Sequence, residues 1–194
     1  MNWKLSLIAA SACFASACVS VLPEPTAPDA LYSVDAAATY AGLSQDLIVR
    51  EPEAPRLISG QNMISEGSDG GLRVVAGVEW SGPATRQIQL AMMNSFKLGE
   101  AGNAVLPELG ILAQYELASE LSALKLVGET GICEMAVSVI ATRDRSLVAR
   151  SKITAREQAD SRSSSDRALA LKDAASNCAA QATEFAINTL SERS

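Results

Sequence analysis

The sequence predicts an α/β protein of two layers, an α+β sandwich in which helices cover a mainly antiparallel or mixed sheet. Three observations carry this. Period-two alternation recurs through the middle of the chain, a helical stripe containing Ile88 and Met92 interrupts it, and a long alanine-rich helical stripe follows Asp166.

Taken in order, Leu31-Tyr32-Ser33-Val34 is expected as a first short strand and residues 46–50 as a second. Glu51-Pro52-Glu53-Ala54-Pro55 stops the second, because proline has no N–H for a ladder, and this acidic stretch is expected as an exposed connection. Residues 62–65 and 72–78 flank Glu66-Gly67-Ser68-Asp69-Gly70-Gly71, whose Asp-Gly and Gly-Gly steps supply the positive φ angles of a hairpin. After Trp80, Ser81 or Gly82 can cap a helix with Pro83 in its first turn; Ile88, Met92 and Phe96 recur at i+4, and the helix is expected to end near Gly99. Trp80 stands at that junction, where its ring serves as a packing anchor or as an anchor for a partner.

Residues 115–127 and 133–142 read as strands, the second with Cys133, Met135, Val137, Val139 and Ala141 on one face. A turn at 143–146 leads to a segment with Leu147, Ala149, Ser151, Ile153 and Ala155 on one face and Arg150, Lys152 and Arg156 opposite. The basic stripe fits the wet side of an antiparallel sheet, with a docking surface as the alternative. The last helix is expected from Asp166 to about Leu190, with Leu171, Ala175, Cys178, Ala182 and Phe185 on one stripe. These are two main helices, the longer at the C-terminus.

The beginning of the chain reads as an export signal. Lys4 precedes an apolar run over residues 5–17 that ends in Ala15-Ser16-Ala17, just before Cys18. That run is short of the ~20 residues needed to span a bilayer. Ala-Ser-Ala-Cys approximates a bacterial lipobox, with Ala15 where Leu is usual, and it equally satisfies the ordinary small-x-small cleavage rule. Two outcomes at one bond therefore stay open: Cys18 carrying acyl chains such as palmitate, which together anchor firmly, or simple secretion. By similarity to lipoprotein sorting rules, Val19 rather than Asp after Cys18 points to the outer membrane. The expected organisation is a signal peptide at 1–17, a spacer at 18–30 stiffened by Pro23, Pro25 and Pro28, and one domain at 31–194.

Composition excludes several functions. Losing Lys4 with the leader takes the formal net charge from −6 to −7, which argues against nucleic acid as a partner. The chain has no histidine, so the commonest general base and metal ligand are missing. It holds no phosphate-binding glycine loop, no Cys-x-x-Cys and no Gly-x-Ser-x-Gly elbow, and calls for neither a cofactor nor a metal. Asp144 between Arg143 and Arg145, and Glu51 and Glu53 near Arg50, read as exposed turn and linker rather than acid/base pairs. Of four cysteines, Cys13 leaves with the leader, Cys18 is the lipid acceptor, and Cys133 and Cys178 remain. Their patterns aim both at one helix–sheet interface, as a disulfide or as two buried thiols.

The order of several segments resembles the ABC-type transport auxiliary lipoproteins, including paraquat-inducible protein C-like members. These segments are Cys18 with Leu22-Pro23-Glu24-Pro25, Ala30-Leu31-Tyr32, Val49-Arg50-Glu51-Pro52, Gly77-Val78-Glu79-Trp80-Ser81, Tyr115-Glu116-Leu117 and the alanine-rich last helix. The resemblance implies the two-layer fold again. It also implies a non-enzymatic periplasmic component that works beside a permease, an ATPase and a mammalian-cell-entry-domain protein to move phospholipid or other hydrophobic molecules between membranes. A directly bound lipid and a homo-oligomer are compatible with it. The alternatives are a structural envelope lipoprotein of another assembly and a histidine-free hydrolase using serine or carboxylates.

Overall fold

A computed structural model describes residues 27–40, 42–97 and 102–192. The export signal, Cys13, Cys18, most of the spacer and the expected helix end at Gly99 lie outside them.

Eight strands form one mixed sheet organised around β6 (Tyr115–Val127), whose bounds coincide with the segment expected from alternation. Along one edge β6 pairs antiparallel with β7 (Thr130–Ala141), which pairs antiparallel with β8 (Leu147–Gln158). The other edge of β6 is shared. β2 (Leu47–Val49) runs parallel to its first residues, and β3 (Asn62–Glu66) runs parallel to its last. β3 forms the expected hairpin with β4 (Leu72–Trp80), and β1 (Ala30–Tyr32) adds in parallel to β4. The short β5 (Ala104–Val105) adds to β2. β1 therefore runs against β6, and the chain enters the fold from the end of the sheet where β6 terminates.

Both main helices lie on one face, which makes the two layers. α3 (Ser164–Ser191) starts where Ser163 accepts a hydrogen bond from the Asp166 N–H, and it lays Ala168, Leu171, Ala174, Ala175, Cys178, Ala179, Ala182 and Ala186 in the core. Small side chains let the helix sit close. At Gly131 of β7 the contact is with backbone: an added Cβ would lie 2.5 Å from the carbonyl carbon and oxygen of Ala170. α2 (Ala84–Ser95) packs beside α3 through Ile88, Ala91 and Met92, and Thr183 of α3 donates to the Met92 carbonyl.

Several expectations are corrected. Ser81 caps nothing; its hydroxyl bonds Ser33, and α2 begins after Pro83 with the Ala84 N–H given to the Gly60 carbonyl. The helix stops at Ser95 rather than near Gly99, because Phe96 turns extended and bridges to Tyr40. The stretch after Arg50 is less free than expected. Pro52 is buried and the Glu53 backbone bonds Ser119 and Leu121 of β6, although the Glu51 and Glu53 side chains stay exposed. On β8, Leu147 leaves the helix-facing row: a bulge between Val139 and Ile140 sets it opposite Ile140, on the open face. Alternation also misses α1 (Arg56–Ser59), a single turn, and β5, a single pair of residues.

Candidate docking site

The singled-out residues divide into those buried under α3 and those at the surface. Trp80 is 1 % exposed, seated in the core at the end of β4, so the indole packs the junction between sheet and α2 and presents nothing outward. Cys133 and Cys178 meet in the helix–sheet interface, as two fully buried neighbouring thiols. Burial first, and then the neighbouring Cys178 thiol, push the Cys133 thiol well above its usual range.

On the open face the basic stripe is matched by acids on the neighbouring strands. Lys152 and Arg156 reach Glu134 of β7 at 3.3 and 3.6 Å, and Arg150 lies 4.0 Å from Glu120 of β6. Cross-strand pairs of this kind neutralise the stripe and contribute only modestly to stability.

The end of the sheet where β6 begins is built differently. Glu116, second residue of β6, has a carboxylate only 3 % exposed, held by Arg50 Nε at 2.7 Å on one oxygen and Arg145 Nη1 at 3.1 Å on the other. A buried carboxylate needs such partners, and here two half-exposed guanidiniums supply them. They tie the end of β2 and the β7–β8 turn to the start of β6. Within that turn Arg145 takes a left-handed φ of 60°, and the Asp144 carboxylate, accepting from the Ser146 N–H, is held below its ordinary pKa by Ser146. Asp144 is thus a turn residue. The chemical motif absent from the sequence reading is this clamp.

Beside the β7–β8 turn runs the connection between β5 and β6. A 3-10 turn at Pro107–Leu109 ends at Gly110, whose φ of 65° a Cβ would resist, and Glu108 pairs with Arg86 of α2 at 3.2 Å. The Thr142 hydroxyl donates to the Ala113 carbonyl at 2.6 Å, and its N–H to the Gln114 carbonyl. The loop is held at both ends, yet it turns its apolar side chains outward: Leu109 is 63 % exposed, Ile111 44 % and Leu112 96 %. Leu147, beside the same turn, is 60 % exposed. Leu112 borders an open depression of about 430 Å³ that Arg143 and Asp144 also line. Arg143 has no ion-pair partner among the described residues. A fixed loop with outward leucines beside the Arg143 guanidinium is suited to binding a partner.

Solved structures share this architecture. A Xanthomonas campestris protein of family DUF330 matches 86 % of this chain and 96 % of its own with a TM-score of 0.72 at 18 % identity. The crystal structure of an uncharacterised protein matches 82 % and 99 % with a TM-score of 0.59 at 9 % identity. At such identities the likeness is one of fold. A search of curated proteins returns no significant match. The family model described as ABC-type transport auxiliary lipoprotein component matches residues 30–182.

Proposed function

The chain belongs to the ABC-type transport auxiliary lipoprotein family, and from that premise we propose that it docks a mammalian-cell-entry lipid transport system through the apolar tip formed by Leu109, Ile111, Leu112 and Leu147. The family places the chain in the cell envelope, in the company of an ABC transporter. In this reading Cys18 carries the lipid and the outer membrane holds it. The permease and ATPase supply energy, the mammalian-cell-entry-domain protein supplies the conduit, and this chain binds without catalysing.

The observation that carries the reading is where the tip lies. The chain enters from the end of the sheet where β6 terminates, whereas the tip caps the end where β6 begins. The registers set the start of β1 level with about Leu124, so roughly nine residues of β6 separate the two, ~30 Å at ~3.3 Å per residue. Residues 18–26 add at most ~30 Å of extended spacer. A domain hung from Cys18 thus turns its leucines away from the anchoring membrane, toward a subunit arriving across the periplasm. Burying a leucine contributes roughly 2 kcal/mol, so two or three of them make a usable anchor. The unpaired Arg143 favours an apolar partner segment flanked by acidic residues.

Support for bracing over carriage comes from the interior. The space between α3 and the sheet, where a lipid chain would lie, is filled by Leu171, Ala174, Ala175, Cys178, Ala179 and Ala182, all fully buried.

The test is co-purification from detergent-solubilised envelopes. The parent chain is expected to bring down the mammalian-cell-entry subunit, and the Leu109→Asp, Leu112→Asp double variant to lose it while keeping its thermal midpoint. Retention by the double variant would exclude the tip as the contact. Intact mass of the extracted protein reads the anchor separately: an unmodified Cys18 at the mature N-terminus would remove the lipid.

A further inference from the structure

Cys133 stands in the middle sheet strand of the helix-covered half, between Leu124 of β6 and Ala155 of β8, and Cys178 lies midway along α3 directly over it. Both side chains are fully buried, and the two thiols lie close enough to perturb one another. The backbone contact at Gly131 seats α3 closely on β7 in the same interface. These are the cysteines of the described residues, and the family's place is the cell envelope, where thiols are exposed to oxidation.

We propose that Cys133 and Cys178 form a disulfide, and that the bond closes before α3 seats on the sheet. The order follows from access. An oxidant must touch one sulfur, and the attacking species is a thiolate. In the folded domain neither sulfur meets solvent, and burial keeps the Cys133 thiol protonated. With α3 undocked both thiols are exposed and ordinary. One thiolate then attacks a disulfide of an oxidised thiol–disulfide oxidoreductase, or of oxidised glutathione, and releases one thiol. The second thiolate attacks that mixed disulfide, forms Cys133–Cys178 and releases the other thiol. Two protein thiols lose two electrons and two protons, which end on the two thiols of the oxidant. Docking of α3 then covers the bond, and a reductant outside meets the same barrier the oxidant did.

The consequence is a covalent staple across the core's principal interface, closing a loop of about 45 residues, the kind of cross-link that limits the unfolded ensemble. It is independent of the tip and of whatever docks there.

Two measurements test it on the full chain. Envelope-extracted protein is denatured in iodoacetamide without reductant and mapped by mass spectrometry; a linked peptide pair lacking two hydrogens is expected, and alkylation of both cysteines would overturn the disulfide. Purified, reduced chain is then refolded with oxidised glutathione present from the start or added after folding. The early addition is expected to close the bond rapidly, and the late one to close it only at the rate of global unfolding, accelerating with urea. Equal rates would overturn the order. A chain that oxidises on refolding in vitro but arrives reduced from cells would overturn the disulfide in the envelope and leave the docking tip untouched.

Discussion

Beneath α3 the strands β6, β7 and β8 present Leu117, Leu121, Cys133, Met135, Val137, Val139 and Ile153, all buried; on the opposite face of the same strands stand Glu116, Glu120, Glu134, Arg150, Lys152 and Arg156. The first face is held by shape. Alanines on the helix and Gly131 on the strand bring backbones together, and little there can change volume without moving an element. The second face is held by charge pairs between strands, and beside its β6-initial end the β5–β6 loop, fixed by Thr142 and Arg86, leaves leucines in water. Stability and the proposed docking thereby fall to different residues, so each can be altered without the other.

The largest expected effect is on the shape-held face. Gly131→Ala puts a methyl into the Ala170 backbone and should destabilise the domain by about 3 kcal/mol, the upper end for overpacking. Urea denaturation reads it, and an unchanged midpoint would mean that α3 can step back. Glu116→Ala comes next, removing two charge-assisted bonds from a buried position, with an expected loss of about 2 kcal/mol. Arg50→Ala or Arg145→Ala alone should cost less, since the other guanidinium still faces the carboxylate. A third effect sits at the entry of α3, where Ser163→Ala removes the cap on Asp166 and should cost about 1 kcal/mol in the same assay.

The smallest effect lies in the β3–β4 hairpin, where Asp69 bonds the Arg73 side chain and the Gly71 N–H, and its carboxyl is held down at about 2, against 3.8 for the free group. Because the folded value is the lower one, the pair's contribution is complete above 3.8 and fades as pH falls from there through about 2. Carboxyl chemical shifts followed by NMR should show that low titration, and Arg73→Ala should return it toward 3.8. The site is fully exposed, so the unfolding midpoint near neutral pH should barely move.

What the sequence made legible follows the same division. Alternation and the helical stripe predicted β6, the β3–β4 hairpin, the buried row of β7 and the long α3, because each repeats its apolar signal many times. The features that escaped depend on single residues meeting partners far along the chain. Alternation puts Leu147 in the buried row, and one bulge inverts its phase. The end of α2 depends on Phe96 finding Tyr40, and the Glu116 clamp on Arg50 and Arg145 converging on a residue that alternation reads as solvated. The tip left one trace: apolar residues without a period around Pro107 and Gly110, a pattern with no place in either regular structure.

The central claim, that the tip at the β6-initial end contacts the transport system, is tested most directly by a photo-cross-linking residue at position 112 in living cells, with position 173 on the exposed side of α3 as control. Illumination should yield an adduct containing the mammalian-cell-entry-domain subunit from position 112 and none from 173. Adducts from 173 with none from 112 would contradict the account and move the docking surface to the helical layer.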